Sequence, residues 1–143
     1  MKLSHTVRHL GQVLQEMGDI ERAESCYQEA LDLHRNHGEP ISLDLANAVR
    51  YFAVAKVERD ATDEASLLWH EAHDLYRALD IQAGVAEGAA CLALLAFREG
   101  DLQGSREWMK RARTAADASG DPDAAGVDWT ETTRGRSAYT VGP

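Results

Sequence analysis

The six histidines fall into three close pairs, His5/His9, His34/His37 and His70/His73. Spacings of i,i+4 and i,i+3 put both imidazoles of a pair on one face of a helix, the arrangement from which a helical zinc site is made. The neighbouring residues argue against that chemistry. His70-Glu71-Ala72-His73 is not His-Glu-x-x-His, and no cysteine or carboxylate stands at a complementary spacing. No metal or other cofactor is therefore expected. Cys26 and Cys91 lie far apart with no Cys-x-x-Cys between them, so they read as reduced, packed thiols. No motif gathers a Ser/His/Asp or Cys/His set, and no glycine-rich phosphate loop follows a strand. The acidic pairs Asp63-Glu64 and Glu21/Glu24 fall in first helical turns, where they complement the helix dipole. An enzyme is not expected.

Whatever these side chains do, a repeat must position them. Ala23-x3-Tyr27-x2-Ala30 returns as Ala65-x3-Trp69-x2-Ala72 and as Ser105-x3-Met109-x2-Ala112, 42 and then 40 residues further on. Leu10-Gly11, Phe52-Ala53 and Leu92-Ala93 keep the same step. Two antiparallel helices approach closely only where one offers Gly or Ala, so Gly11 is expected to receive the helix carrying Ala23 and Tyr27. Gly18-Asp19 and Gly100-Asp101 each supply a glycine stop and an Asp N-cap, and Asp60-Ala61-Thr62 is a weaker version. The predicted helices are 4–16, 20–36, 43–59, 62–79, 83–99 and 102–118, broken between repeats at Gly38-Glu39-Pro40 and Leu79-Asp80-Ile81. Tyr27 and Trp69 then fall at the knob position of each second helix and read as core rather than as a stacking platform for a ligand. His73 is equivalent to Leu31, which predicts a partly buried, hydrogen-bonded ring.

Small-residue and aromatic spacing of this kind resembles the tetratricopeptide repeat family over residues 4–118. The usual unit is about 34 residues, and steps of 40 to 42 resemble the longer-helix variety found in kinesin light chains and many bacterial regulators. Lys56 and Ala96 depart from the pattern where the family prefers a large residue, as does Ser105 where it prefers Ala. The resemblance implies an all-α, right-handed superhelical solenoid of three helical hairpins, 4–37, 43–79 and 83–118, in a domain spanning 1–118. It also implies a scaffold that binds a peptide or helix in the concave groove lined by the first helices. On this chain that face gives His5, Arg8, Gln12 and Gln15, then Asn47, Arg50, Val54 and Val57, then Glu87, Ala90, Leu94 and Phe97, grading from polar and basic to apolar. Arg8 and Arg50 stand as isolated positive charges suited to a carboxylate or to backbone carbonyls. The Lys and Asn clamp of chaperone-binding relatives is not reproduced.

Composition bounds the rest. With 24 Asp+Glu against 15 Lys+Arg the net charge is −9, so nucleic acid and anionic membrane surfaces are not expected partners. No apolar run has the length of a membrane span or a signal peptide, from which a cytoplasmic protein is expected. Residues 119–143 turn rich in Gly, Asp, Thr and Ser and read as a largely irregular tail. Either Val127 and Trp129 are expected to dock on the third hairpin as a partial cap, or the exposed end and the apolar half of the groove are expected to pair with a second copy in a homodimer. Two further readings stay open: a sensor or oligomerisation piece of a larger bacterial regulator, and a small-molecule or metal-binding regulator using the histidine pairs.

Overall fold

Four short turns set the architecture, and they share one geometry. In these four the preceding helix ends within two residues of one with positive φ: Gly18 (85°), Asp60 (56°), Asp80 (56°) and Gly100 (83°). The amide after each donates five residues back, from Asp19 to Leu14, Ala61 to Lys56, Ile81 to Tyr76 and Asp101 to Ala96, all at 2.9 Å. The positive-φ amide itself donates to Gln15, Val57, Arg77 and Phe97, the pair of bonds that satisfies the orphan carbonyls of a helix end. The computed structural model describes residues 2–36 and 41–121 and contains α1 (Lys2–Glu16), α2 (Ile20–Asn36), α3 (Leu43–Glu58), α4 (Thr62–Ala78), α5 (Gln82–Arg98) and α6 (Leu102–Ser119). These bounds lie within two residues of those read from the sequence. Among the described residues there is no strand. His37, the Gly38-Glu39-Pro40 break, Val127 and Trp129 lie outside the described residues.

The starts of the helices are less uniform. Ser42 and Asp101 cap α3 and α6 by accepting from the amides of Leu45 (3.2 Å) and Gly104 (2.9 Å). Asp60 does not play the part of Asp19 or Asp101. It occupies the left-handed position that glycine fills in the other two turns, so Ala61 takes the cap position before α4.

The chain divides into two compact units, residues 1–75 and 76–143. In the first, α2 packs on both α1 and α3. Gly11 meets α2 as expected: a Cβ there would lie 2.7 Å from Cε1 of Tyr27. Tyr27 stacks on Tyr51 with ring centroids 6.2 Å apart and touches Phe52 at 6.3 Å. Ala23, Ala30, Ala53, Ala65, Trp69 and Ala72 are fully buried. His73 is buried with Nδ1 3.5 Å from Asp74. Leu10 differs from its equivalents Phe52 and Leu92, which are buried. It is 52% exposed, since among the described helices α1 packs on α2 and α3 and none covers this side.

In the second unit α5 packs on α6. Ser105 explains its departure from alanine: its hydroxyl donates to the carbonyl of Ala93 at 2.8 Å, so the small residue is kept and the buried Oγ is satisfied. Lys56, in the first unit, is explained in the same way. It pairs with Glu64 (2.6 Å) and the buried Glu24 (3.4 Å) while its ammonium lies 5.4 Å from the Phe52 ring centroid.

Candidate interaction surface

Asp44, in the first turn of α3, gathers side chains from α1 and α2. Arg8 of α1 donates to its Oδ1 from Nε (3.2 Å) and Nη2 (3.1 Å), and His5 Nδ1 lies 3.0 Å from the same oxygen. His34, at the end of α2, approaches Oδ2 with Nε2 at 3.3 Å, and the Ser4 hydroxyl donates to it at 3.4 Å. Burial alone would raise the Asp44 carboxyl, but the hydrogen bond from His5 and the charge and hydrogen bonds of Arg8 hold it below the usual carboxylate range. The Arg8 guanidinium also donates to Gln12 at 3.1 Å and lies 5.6 Å from the Tyr51 ring centroid.

Two consequences correct the sequence reading. Arg8 is not an isolated groove charge. It is 6% exposed and spent on Asp44, because α3 enters beside α1 with its first-turn carboxylate facing the guanidinium. The fold also brings together Ser4, His34 and Asp44, residue types that no motif had joined. They do not form an acyl-transfer relay. Ser4 Oγ (3.1 Å) and Asp44 Oδ2 meet the same nitrogen, His34 Nε2, whereas a triad needs the carboxylate on the opposite one. Ser4 and His34 are also buried, so a substrate has no path to them.

His5 and His9 touch edge to face, with Nε2 atoms 2.9 Å apart. With His9 donating to His5 Nε2, His5 Nδ1 carries the proton it gives to Asp44 and does not accept from Arg8 Nη2, which lies 3.1 Å from it. Desolvation, the charge of Arg8 and the neighbouring His5 lower the His9 pKa against an opposing pull from Asp44. No three His, Cys, Asp or Glu side chains among the described residues form a metal-ligand group. His70 is exposed and His73 buried, so that pair does not share an environment.

The rest of the expected groove is placed as follows. His5 is exposed, Gln12, Gln15, Asn47, Arg50 and Val57 are half-buried, and Val54 is buried. Gln15 accepts from the Tyr27 hydroxyl at 2.6 Å and donates to Glu58 at 3.1 Å, linking α1 to both neighbours. Arg50 lies 5.1 Å from the Tyr51 ring centroid, so the ring has a guanidinium from α1 and another from α3 against it. In the second unit Glu87 and Leu94 are half-buried, Ala90 is buried and Phe97 is exposed on α5. Asp44, Tyr51 and Glu58 were missed. Stepping three residues back from Asn47 reaches Asp44, and four forward reaches Tyr51, so helical periodicity carried that signal.

Residues 7–37, which span α2 and most of α1, match the tetratricopeptide repeat. The fold is similar to the crystal structure of BtubC (BKLC) from P. vanneervenii, with a TM-score of 0.72 at 19% identity, covering 99% of this chain and 67% of that one. No curated protein matches the sequence. At that identity the likeness speaks for the fold. Six helices without strands among the described residues, with the likeness to that structure, make this an all-α solenoid of helical hairpins, in which residues 7–37 are similar to the tetratricopeptide repeat. No helix described is long and apolar enough to cross a membrane.

Proposed function

We propose that the chain is a non-catalytic protein-binding module of the long-repeat kind, which takes a peptide or helical segment on the face shared by α1 and α3. The observation that carries this is the Arg50 guanidinium held against Tyr51, one helical turn from half-buried Asn47 on α3. A planar cation fixed on an aromatic ring loses little further freedom when it grips a carboxylate or a backbone carbonyl. Tyr51 and Val57 add apolar area beside it. Repeats of tetratricopeptide type are in general protein-interaction modules, which supports the reading.

The test is to select peptides from a random library on the wild-type chain and titrate them against Arg50→Ala and Asn47→Ala. Loss of affinity by about tenfold or more in both variants is expected, with helicity retained. Peptides that bind both variants as tightly as the wild type would place the binding face elsewhere. Arg8→Ala cannot serve here, because it strips Asp44 of its main partner and acts through stability.

A further inference from the structure

The side of α1 turned away from Arg8 and Gln12 is apolar and open. Leu3, Leu10 and Val13 are 55%, 52% and 51% exposed, and Met17, just past the last turn, is 76% exposed. With Thr6 they recur at alternating steps of three and four residues, the spacing of a two-helix seam. The repeat tells what such a face meets. Leu10 and Val13 correspond to Phe52 and Ala55 in α3 and to Leu92 and Leu95 in α5, all of them buried. Phe52 is covered by α2 through Tyr27. The outer side of α1 thus has the chemistry of a packed helix surface, and among the described helices none packs there.

Two pairings with a second copy can be compared. In a head-to-tail contact, α6 of one copy would take the place that α2 takes against α3. There α2 uses Glu24, Tyr27 and His34, with the buried Leu31 between them. The equivalents in α6 are Arg106, Met109, Ala116 and, for Leu31, Arg113, and both arginines are exposed. Pressing two guanidinium groups onto the apolar Leu10 and Val13 would take charge out of water against side chains that offer it no hydrogen bond. Pairing α1 with α1 of the other copy avoids this, since no seam position carries a charge. Nor does it bring acidic surfaces together on a chain of net charge −9, because with Arg8 paired to Asp44 the sequence of α1 leaves Lys2 against Glu16 alone. Set antiparallel about a two-fold axis, Leu3 meets Val13 and Thr6 meets Leu10 of the second copy, and the contact closes on itself.

We infer that this chain forms a two-fold homodimer through antiparallel packing of α1 on α1. A helix of 15 residues offers a short seam, so the buried area falls at the low end of stable interfaces and the pairing depends on concentration. The seam lies on the opposite side of α1 from the α1/α3 face, so it stands independently of the binding function proposed above.

Sedimentation equilibrium of the full chain over a wide micromolar range tests it. The wild type is expected to pass from monomer to dimer, and Leu10→Glu combined with Val13→Glu is expected to weaken the dimer by about tenfold or more. Exposure of both residues lets the fold survive, which circular dichroism checks. Thr6→Arg, which removes no apolar side chain, is expected to weaken it as well. A monomer at every concentration overturns the inference, as does a dimer indifferent to these variants, or growth beyond the dimer.

Discussion

Gly11 and His9 stand on opposite sides of the same question, how much a single side chain can be asked to tolerate. The Cβ of a Gly11→Ala variant would meet Tyr27 at 2.7 and 2.9 Å and the Cys26 Cβ at 3.2 Å. Tyr27 has little room to yield, being fully buried, stacked on Tyr51 and bonded through its hydroxyl to Gln15. Overpacking costs about 1–3 kcal/mol, against a helix-propensity gain of about 0.5–1 kcal/mol for replacing glycine. A net loss of about 1 kcal/mol or more is expected in a denaturant melt, and an unchanged midpoint would show that the helix crossing lies elsewhere. His9 is a matter of protons. Its pKa is lowered from 6.5, so the folded chain favours neutral imidazole beside Arg8, His5 and Asp44. The sign follows: this contribution is present above about pH 6.5 and is lost as pH falls through the lower folded value. Wild type should lose thermal stability between pH 7 and 5, and His9→Gln should flatten part of that slope. Asp44, lowered from 3.8, adds its own loss only below that value.

At the scale of elements, the turns show what the sequence made legible and what it hid. Gly18 and Gly100 announce their turns, because glycine followed by Asp is a recognisable helix stop and start. Asp60 and Asp80 adopt the same positive φ without announcing it, since an Asp in that region costs energy that only the surrounding helices offset. Writing the Gly-Asp of the other turns into positions 60 and 61 should therefore stabilise the chain. Asp60→Gly relieves the left-handed strain and Ala61→Asp supplies the missing cap, for a combined gain of about 1–2 kcal/mol. Equilibrium unfolding in urea would check it, and no gain from either change would mean the turn is already relaxed. The helices were readable because small and large residues repeat with the helical period. The hub at Asp44 was not, because Arg8 and Asp44 stand 36 residues apart and periodicity within one helix says nothing about which charge faces it from the next. That is why Arg8 read as free when it is spoken for, and why Lys56 read as a defect when Glu24 and Glu64 hold it.

For the whole molecule the governing quantity is the imbalance of 24 acidic against 15 basic residues. It is unevenly spread. The α6 helix holds Arg106, Lys110, Arg111 and Arg113 against Glu107 and Asp117, whereas α4 holds Asp63, Glu64, Glu71 and Asp74 against Arg77. Self-repulsion of the excess negative charge favours expanded states and is screened over about 10 Å at 0.1 M salt. Salt also weakens attractive pairs, and the sign of the net effect depends on which pairs hold the fold. Arg8 with Asp44 is largely buried and so little screened. Arg35 with Glu71, at 2.8 Å but half exposed, belongs to the class of surface pairs worth about 0–1 kcal/mol. Screening should therefore remove more repulsion than attraction, and the melting midpoint should rise as sodium chloride goes from about 0.02 to 0.3 M, where the Debye length has dropped below the spacing of most surface charges. Chloride is the right anion for the test, because sulfate would stabilise any fold by exclusion from its surface. A midpoint that falls with sodium chloride would mean that exposed pairs such as Arg35 and Glu71 carry more of the stability than their exposure implies.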